Sequence, residues 1–313
     1  MIKLVRYSQS DFLAWNDFIL QAKNGHFMFV RDYMDYHSQR FNDFSLMVYN
    51  DSELIAVLPA NLKDSIIYSH QGLTFGGLIM SHKATADLVI NIFEKITWFY
   101  KEMNINKIVY KAIPYIYHSY TSDEDLYALT RLNACLVRRD ISSAICLRSK
   151  LPFRELRKRS LRKAIKKQLV IKEITDFEVY WSLLSQVLSA KHNNVPVHTL
   201  EEITHLANSF PDNIKLVTAY SAGGVLLAGC VLYINRDVVH TQYIASSDDG
   251  KMVGALDLIM DYLINEKYVN KQFFDFGIST EDNGKFLNNG LIFQKEGFGA
   301  RGVVHDFYEV SLK

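Results

Sequence analysis

The chain has 313 residues, 49% of them apolar and 13% aromatic, enough to bury one large core or two ordinary ones. Its 35 Lys and Arg against 34 Asp and Glu leave a formal net charge of +1, so no net field draws the molecule to DNA or to an anionic membrane, and any basic surface must be local. The opening "MIKLVRYSQSDFLAW" lacks the apolar core of a signal peptide, runs such as "GGVLLAGCVLYI" fall short of the roughly 20 residues of a membrane span, and three cysteines without paired spacing, Cys135, Cys146 and Cys230, fit thiols in a reducing cytoplasm, the expected location.

In chain order, "FVRDYMDYHSQRF" predicts a helix with an aromatic inner face that groups Arg31, Tyr33, Tyr36, His37 and Arg40. From Phe44, "FSLMVYNDSELIAVLPANLKDSIIYSHQGLTFGG" predicts a hairpin followed by a third strand. "ADLVINIFEKITWFYKEM" has apolar residues at three- and four-residue spacing and predicts a helix, and "NKIVYKAIP" a strand. Next comes "LPFRELRKRSLRKAIKKQLVIKEI", where Pro152 suits a first helical turn. Leu156, Leu161, Ala164 and Ile165 offer a thin apolar stripe there, and Arg154, Arg157, Lys158, Arg159, Arg162, Lys163, Lys166 and Lys167 cover the rest. "AKHNNVPVHT" reads as a polar loop after a helix.

From Ile214 the first pattern returns as "IKLVTAYSAGGVLLAGCVLYINRDVVHTQYIASSDDG", then a helix, "GALDLIMDYLINEKYV", and a strand, "KQFFDFGIS". Tyr49 falls on Tyr220, Ala56 on Ala228, and Ile66, Ile67 and Tyr68 on Val238, Val239 and His240. Antiparallel strands feeding a helix that returns to a parallel strand give a mixed α/β sheet, twice over. The expected fold class is therefore α/β with mixed sheets in two tandem domains. These are residues 1–150, a basic connector helix at 151–170, and residues 171–313.

The duplicated unit, the "RKRSLRKAIKK" helix and the closing "FFDFGISTEDNGKFLNNGLIFQKEGFGARG" resemble the tandem GNAT proteins, meaning the Fem-type peptidoglycan aminoacyltransferases and their acyl-CoA-using relatives. The "DFG" and "FxKxxFG" elements of that last stretch carry most of the likeness. Within the group, "FVRDYMDYH" and "SHQGLTFGGL" resemble members of surface-polysaccharide sugar biosynthesis such as the dTDP-3-amino-3,6-dideoxyhexose N-acyltransferases, which implies a place in O-antigen or lipopolysaccharide synthesis. The resemblance implies two GNAT-like domains and a reaction in which an amine attacks an activated acyl carbonyl. The donor it implies is acyl-CoA as co-substrate, or in the Fem branch an aminoacyl ester of tRNA; the narrower likeness implies a nucleotide-linked amino sugar as acceptor.

In the acyl-CoA branch the pyrophosphate lies at a helix N-terminus under a basic-x-x-Gly-x-small turn. "GKMVGAL" partly matches it, so Gly250, Lys251, Met252, Val253, Gly254 and Ala255 are the candidate donor site, and free amides and glycines there suit phosphate. Asp248 and Asp249 argue against an anion unless they face away or cap the helix. The first copy has no basic residue in register, so the second copy is expected to hold the donor and the first, degenerate one to contribute acceptor contacts. His70, Gln71, Thr74 and Gly76 are candidates for the floor of an acceptor site, with Arg31, Tyr33 and Arg40 for a nucleotide and His192 and Asn193 from the polar loop.

For the chemistry, Asp275, Ser279, Glu281 and His240 are candidates, His240 as general base because imidazole titrates near working pH. The Fem likeness adds Lys295 near the reacting carbonyl, where it would stabilise negative charge, hold a phosphate, or simply pair with Glu296 or Glu281. No metal is expected, since the ten histidines show neither close pairing nor partnered cysteines. "DFG" without a glycine loop or "HRD" excludes a kinase. A Fem-type transferase that uses charged tRNA to modify a cell-wall precursor, with the basic helix as its tRNA contact, and a non-catalytic binding protein remain the alternatives.

Overall fold

The computed structural model describes the backbone of every residue but Asn193 and the side chains of all but Lys191, His192 and Asn193. The chain divides into two compact units, Met1–Asp140 with Val304–Lys313, and Ile141–Val303. No helix among the described residues is long and apolar enough to cross a membrane. Cys135 and Cys146 are exposed thiols and Cys230 a buried one.

In chain order the first stretch carries β1 (Ile2–Arg6), α1 (Phe12–Gln21), α2 (Arg31–Asp35), β2 (Asn42–Asp43), β3 (Leu46–Asn50), β4 (Glu53–Leu58), β5 (Asn61–Lys63), β6 (Ile66–Tyr68) and β7 (Ile79–Met80). It continues with α3 (Ala86–Glu102), β8 (Lys107–Lys111), α4 (Glu124–Arg131) and β9 (Cys135–Cys146). Then come α5 (Glu155–Lys166), β10 (Val170–Ile174), α6 (Glu178–His192), α7 (Leu200–Ser209), β11 (Ile214–Tyr220), β12 (Leu226–Ile234) and β13 (Val238–Ser246). The chain closes with α8 (Asp248–Val253), α9 (Ala255–Tyr262), β14 (Phe273–Ile278), β15 (Thr280–Glu281), β16 (Phe286–Leu287), α10 (Asn289–Gly297) and β17 (Arg301–Ser311).

In the first unit β1, β3, β4 and β7 form one antiparallel sheet. A second ladder runs β2, β5, β6, β8 and the last part of β17, with β6 and β8 parallel. Asp64 and Ser65 both take positive φ between β5 and β6, the two-residue turn that matches strand twist. Helix α3 buries Val89, Ile92, Phe93, Ile96 and Tyr100, the three-and-four spacing of a single apolar face, against Leu46, Val48, Ala56 and Ile108.

In the second unit β10, β11, β12 and β13 are antiparallel neighbours, β13 pairs in parallel with β14, and β14 pairs antiparallel with the end of β9. Alternation along the strands sends Val217, Ala219, Ala228, Cys230 and Leu232 to a core shared with Ala255, Ile259, Met260 and Leu263 of the α9 segment. On the opposite face a Cβ added to Gly229 would stand 2.4 Å from the ring of Tyr180 in α6, so only glycine lets that helix approach. Helix α5 packs on α9 inside this unit. Its apolar stripe is thinner than expected: Ala164 is fully buried, but Leu156 and Ile165 are 54% and 58% exposed. Contact is made instead through Ser160, whose backbone lies against Gly254, and the Arg157–Asp257 pair.

The duplication reaches residue register. Ile66, Ile67 and Tyr68 pair with Lys107, Ile108 and Val109 as Val238, Val239 and His240 pair with Phe273, Phe274 and Asp275. Ala56 faces Val48 and Met80 as Ala228 faces Ala219 and Ser246, and both hairpins shift register next to Tyr49 and Tyr220. The copies differ where the third strand runs on. In the second copy β13 is continuous, whereas residues 69–78 part β6 from β7 in the first. Each unit also takes its last strand from elsewhere in the sequence, residues 141–146 for the second and 304–311 for the first.

Candidate active site

Strands β13 and β14 are paired only from Val238 to His240; His240 and Asp275 form the last register pair. Beyond them β13 runs on to Ser246 without β14, leaving an opening of the kind that holds ligands at the ends of parallel strands. Toward the far end of β13, Ile244, Ala245 and Ser246 line a cavity of about 400 Å³ completed by Arg157, Ser160, Val187, Lys251, Leu256, Asp257 and Gln294. Ile244 lies about 13 Å along the strand from His240 at some 3.3 Å per residue.

At the root of the opening, Asp275 is fully buried and fully engaged. Its Oδ2 lies 2.8 Å from His240 Nδ1, and its Oδ1 accepts from Ser142 Oγ at 2.5 Å and from the Gly277 N–H at 3.1 Å. An Nδ1–H bonded to carboxylate leaves the ring's lone pair on Nε2. Gly277 has φ +74 and sits edge-on to the imidazole, where a Cβ would be 3.1 Å from Cε1. The register of β14 against β9 slips between Asp275 and Ile278, a bulge that turns Asp275 and Ser142 toward each other. A second bulge, on β13, leaves Gln242 without a partner in register on β12.

Lys295 of α10 is 5% exposed and donates to the carbonyls of Gly277 and Ile278 at 2.7 and 2.6 Å. Burial pushes its ammonium down to about 8, against the pull of Asp275. It thus clamps the end of β14 beside the dyad, while Glu296 pairs with Arg154 and Glu281 accepts from Asn288. Ser279 is buried with no hydrogen-bond partner on Oγ among the described residues, and Glu281 is exposed. The sequence pointed to His240, Asp275, Ser279 and Lys295 here and to Arg157 only as part of the basic helix, and gave no sign of Ser142, Asp257 and Gln294. Ser142 lies 133 positions from Asp275, so no local pattern announces it.

The turn before α8 is occupied by its own groups. Ser247 caps the helix by accepting the Gly250 N–H at 2.9 Å, and Lys251 pairs with Asp248 at 2.5 Å. A Cβ on Gly250 would meet the Leu227 carbonyl at 2.2 Å, and one on Gly254, whose φ is +78, the Ser160 carbonyl at 2.3 Å. Both glycines therefore have a packing reason. Ala255 is buried in the α9 core, Met252 is 61% exposed and Val253 half-buried.

In the first unit the stretch that follows the third strand is bonded to its neighbour. Residues 69–78 run along β8, with the Ser69 and Gly76 amides on the Val109 and Lys111 carbonyls and the Lys111 amide on Ser69 Oγ. Lys111 Nζ donates to the carbonyls of His70, Gln71 and Leu73, and burial pushes it down to about 8. Desolvation, His37 and Lys111 hold the buried His70 near 3, a neutral ring. Gln71 exchanges hydrogen bonds with Asn61, Thr74 is exposed, and Gly76 backs onto the Ser69 carbonyl. Arg31 is 3% exposed, paired with Asp35 and Asp43 and stacked 3.7 Å over the ring of Tyr7. Tyr33 is buried between Phe27 and Tyr36, and Arg40 is exposed. Asn193 and the side chain of His192 lie outside what the structure describes. No cluster among the described residues has the makings of a metal site.

No family model matches the chain, and no curated protein matches it by sequence. Among solved structures, FemX superposes on 99% of this chain and 97% of its own, with a TM-score of 0.70 at 9% identity. L-PGS from Bacillus licheniformis covers 98% and 93%, TM-score 0.65 at 9% identity. A tandem GNAT protein from the clavulanic acid biosynthesis pathway covers 100% and 99%, TM-score 0.52 at 9% identity. At such identities the likeness is one of fold, and the fold is the expected mixed α/β architecture of two GNAT-like units.

Proposed function

We propose that the protein is an N-acyltransferase whose second unit holds the activated acyl group in the opening between β13 and β14. The observation that carries this reading is the Asp275–His240 pair where those strands separate. The attacking nitrogen forms its bond to the acyl carbon while His240 Nε2 takes the proton it sheds. The bond to the leaving sulfur or oxygen then breaks, and the proton passes to that atom. The backbone N–H of Gln242, the extra residue of the β13 bulge, is the donor we assign to the oxyanion.

For the donor, an acyl-CoA thioester with a nucleotide-linked amino sugar as acceptor is the first reading, supported by Lys251 and Arg157 on the wall of a cavity of about 400 Å³. An aminoacyl ester of tRNA is favoured by charge. Asp248 and Asp249 stand in the first turn of α8, whereas Arg159, Arg162, Lys163, Lys166 and Lys167 are exposed on or just past α5. The test supplies acetyl-CoA or charged tRNA with a thymidine or uridine diphosphate amino sugar and weighs the amide formed. Transfer from acetyl-CoA that weakens in Lys251→Ala through donor KM supports the first reading. Transfer from charged tRNA alone, falling steeply with salt, supports the second. No transfer from either leaves a binding protein.

A further inference from the structure

The polar trio at the root of the opening has an apolar counterpart at the same positions of the other unit. His240 corresponds to Tyr68 and Asp275 to Val109. Counting along the antiparallel ladders from the pairs Asp275 with Ala144 and Val109 with Glu309, Ser142 corresponds to Phe307. One architecture is thus stable with a tyrosine, a valine and a phenylalanine there, so folding does not demand the serine, the carboxylate and the imidazole of the second unit. The second unit keeps a fully buried carboxylate and hydroxyl at positions where the first carries half-buried Val109 and Phe307.

We propose that Ser142 is a positioning residue that fixes the tautomer of His240 through Asp275. Asp275 Oδ1 is consumed by the Ser142 hydroxyl at 2.5 Å and the Gly277 amide at 3.1 Å. Only Oδ2 remains for the imidazole, and it takes Nδ1–H at 2.8 Å. Ser142 thereby determines which carboxylate oxygen meets the ring and in which plane. The Gly277 amide alone does not, because it lies on the same bulge as Asp275 and moves with it. Ser142 is anchored independently, on the strand that enters the unit ahead of all its helices.

The inference rests on the reading of His240 as the base, and its first readout needs no substrate. Full-length protein carrying ¹⁵N-histidine is examined by long-range proton–nitrogen correlation, with His240→Gln identifying the ring among the ten histidines. Wild type is expected to show the Nδ1–H form alone. Ser142→Ala, with an unchanged circular dichroism spectrum, is expected to show a mixture of tautomers, and Ser142→Thr to restore the single form. Should alanine fail to fold, Ser142→Cys, near in volume and a weaker donor, shifts the ring the same way. In the transfer assay Ser142→Ala lowers kcat about tenfold with KM unchanged, less than the 10²–10⁴ at stake for a base itself. A folded Ser142→Ala protein with the wild-type ring pattern would overturn the proposal. A ring that depends on Ser142 in a protein that transfers no acyl group would remove the acyltransferase reading and leave this assignment standing.

Discussion

His240 Nδ1 and Asp275 Oδ2 are 2.8 Å apart at the last register pair of two parallel strands. The carboxylate is fully buried and the imidazole side chain 12% exposed, so the pair joins a dry interior to a solvent-reaching opening. His240→Gln is expected to lower the transfer rate by about 10²–10⁴ while leaving unfolding near wild type. Asp275→Ala is expected to do both kinds of damage. It strands the Ser142 hydroxyl and the Gly277 amide, at about 1–3 kcal/mol for a buried group left unmade. Steady-state kinetics beside urea titrations separate the two effects.

Arg31 contributes to the first unit through burial. Its guanidinium bridges Asp35 and Asp43 and lies over Tyr7. Removing it leaves two carboxylates facing each other with no cation between them. Arg31→Ala is expected to destabilise by about 3–5 kcal/mol, and Arg31→Lys to recover part, since an ammonium lacks the planar fork. Urea unfolding measures this, and a loss of nucleotide-sugar binding at unchanged stability would contradict it.

Asp125 is fully buried, donated to by the Tyr110 hydroxyl at 2.5 Å, and burial pushes it up to about 7. The folded state therefore holds a proton that the unfolded chain releases near the ordinary aspartate value. Between those two values folding binds the extra proton, so this group's contribution to stability falls as pH rises toward 7 and is lost above it. Asp125→Asn, which keeps an acceptor for Tyr110, is expected to flatten that fall and to raise the midpoint above pH 7. Thermal melts from pH 4 to 8 test it.

Gly254 closes α8 and opens α9 at φ +78, with the Ser160 carbonyl where a Cβ would stand. Gly254→Ala is expected to destabilise by about 1–2 kcal/mol for the left-handed backbone alone, and further because α5 is pushed off α9. Denaturant unfolding gives the size. A change in donor affinity without a change in stability would assign the glycine to ligand instead.

The alternation and the three-and-four spacing of apolar residues made the duplicated unit legible, down to the equivalence of Ile66 with Val238. What the residues touch was less so. A stretch such as "SHQGLTFGG" has the same composition whether it lines a cleft or fills one, and the ammonium of Lys111 settles that it runs zipped along β8. Lys251 and Asp248 stand three apart on one helical turn, where opposite charges meet. The exchange of last strands, and with it Ser142, depends on pairing across more than a hundred residues, which local patterns do not carry.

The measurement that bears most directly on the account is amide formation by wild type and His240→Gln, side by side, with acetyl-CoA and with charged tRNA as donors. The account predicts product from one donor with wild type and a rate lower by about 10²–10⁴ with the variant. Equal rates in the two proteins would contradict it, because the opening between β13 and β14 would then have no part in the proton transfer.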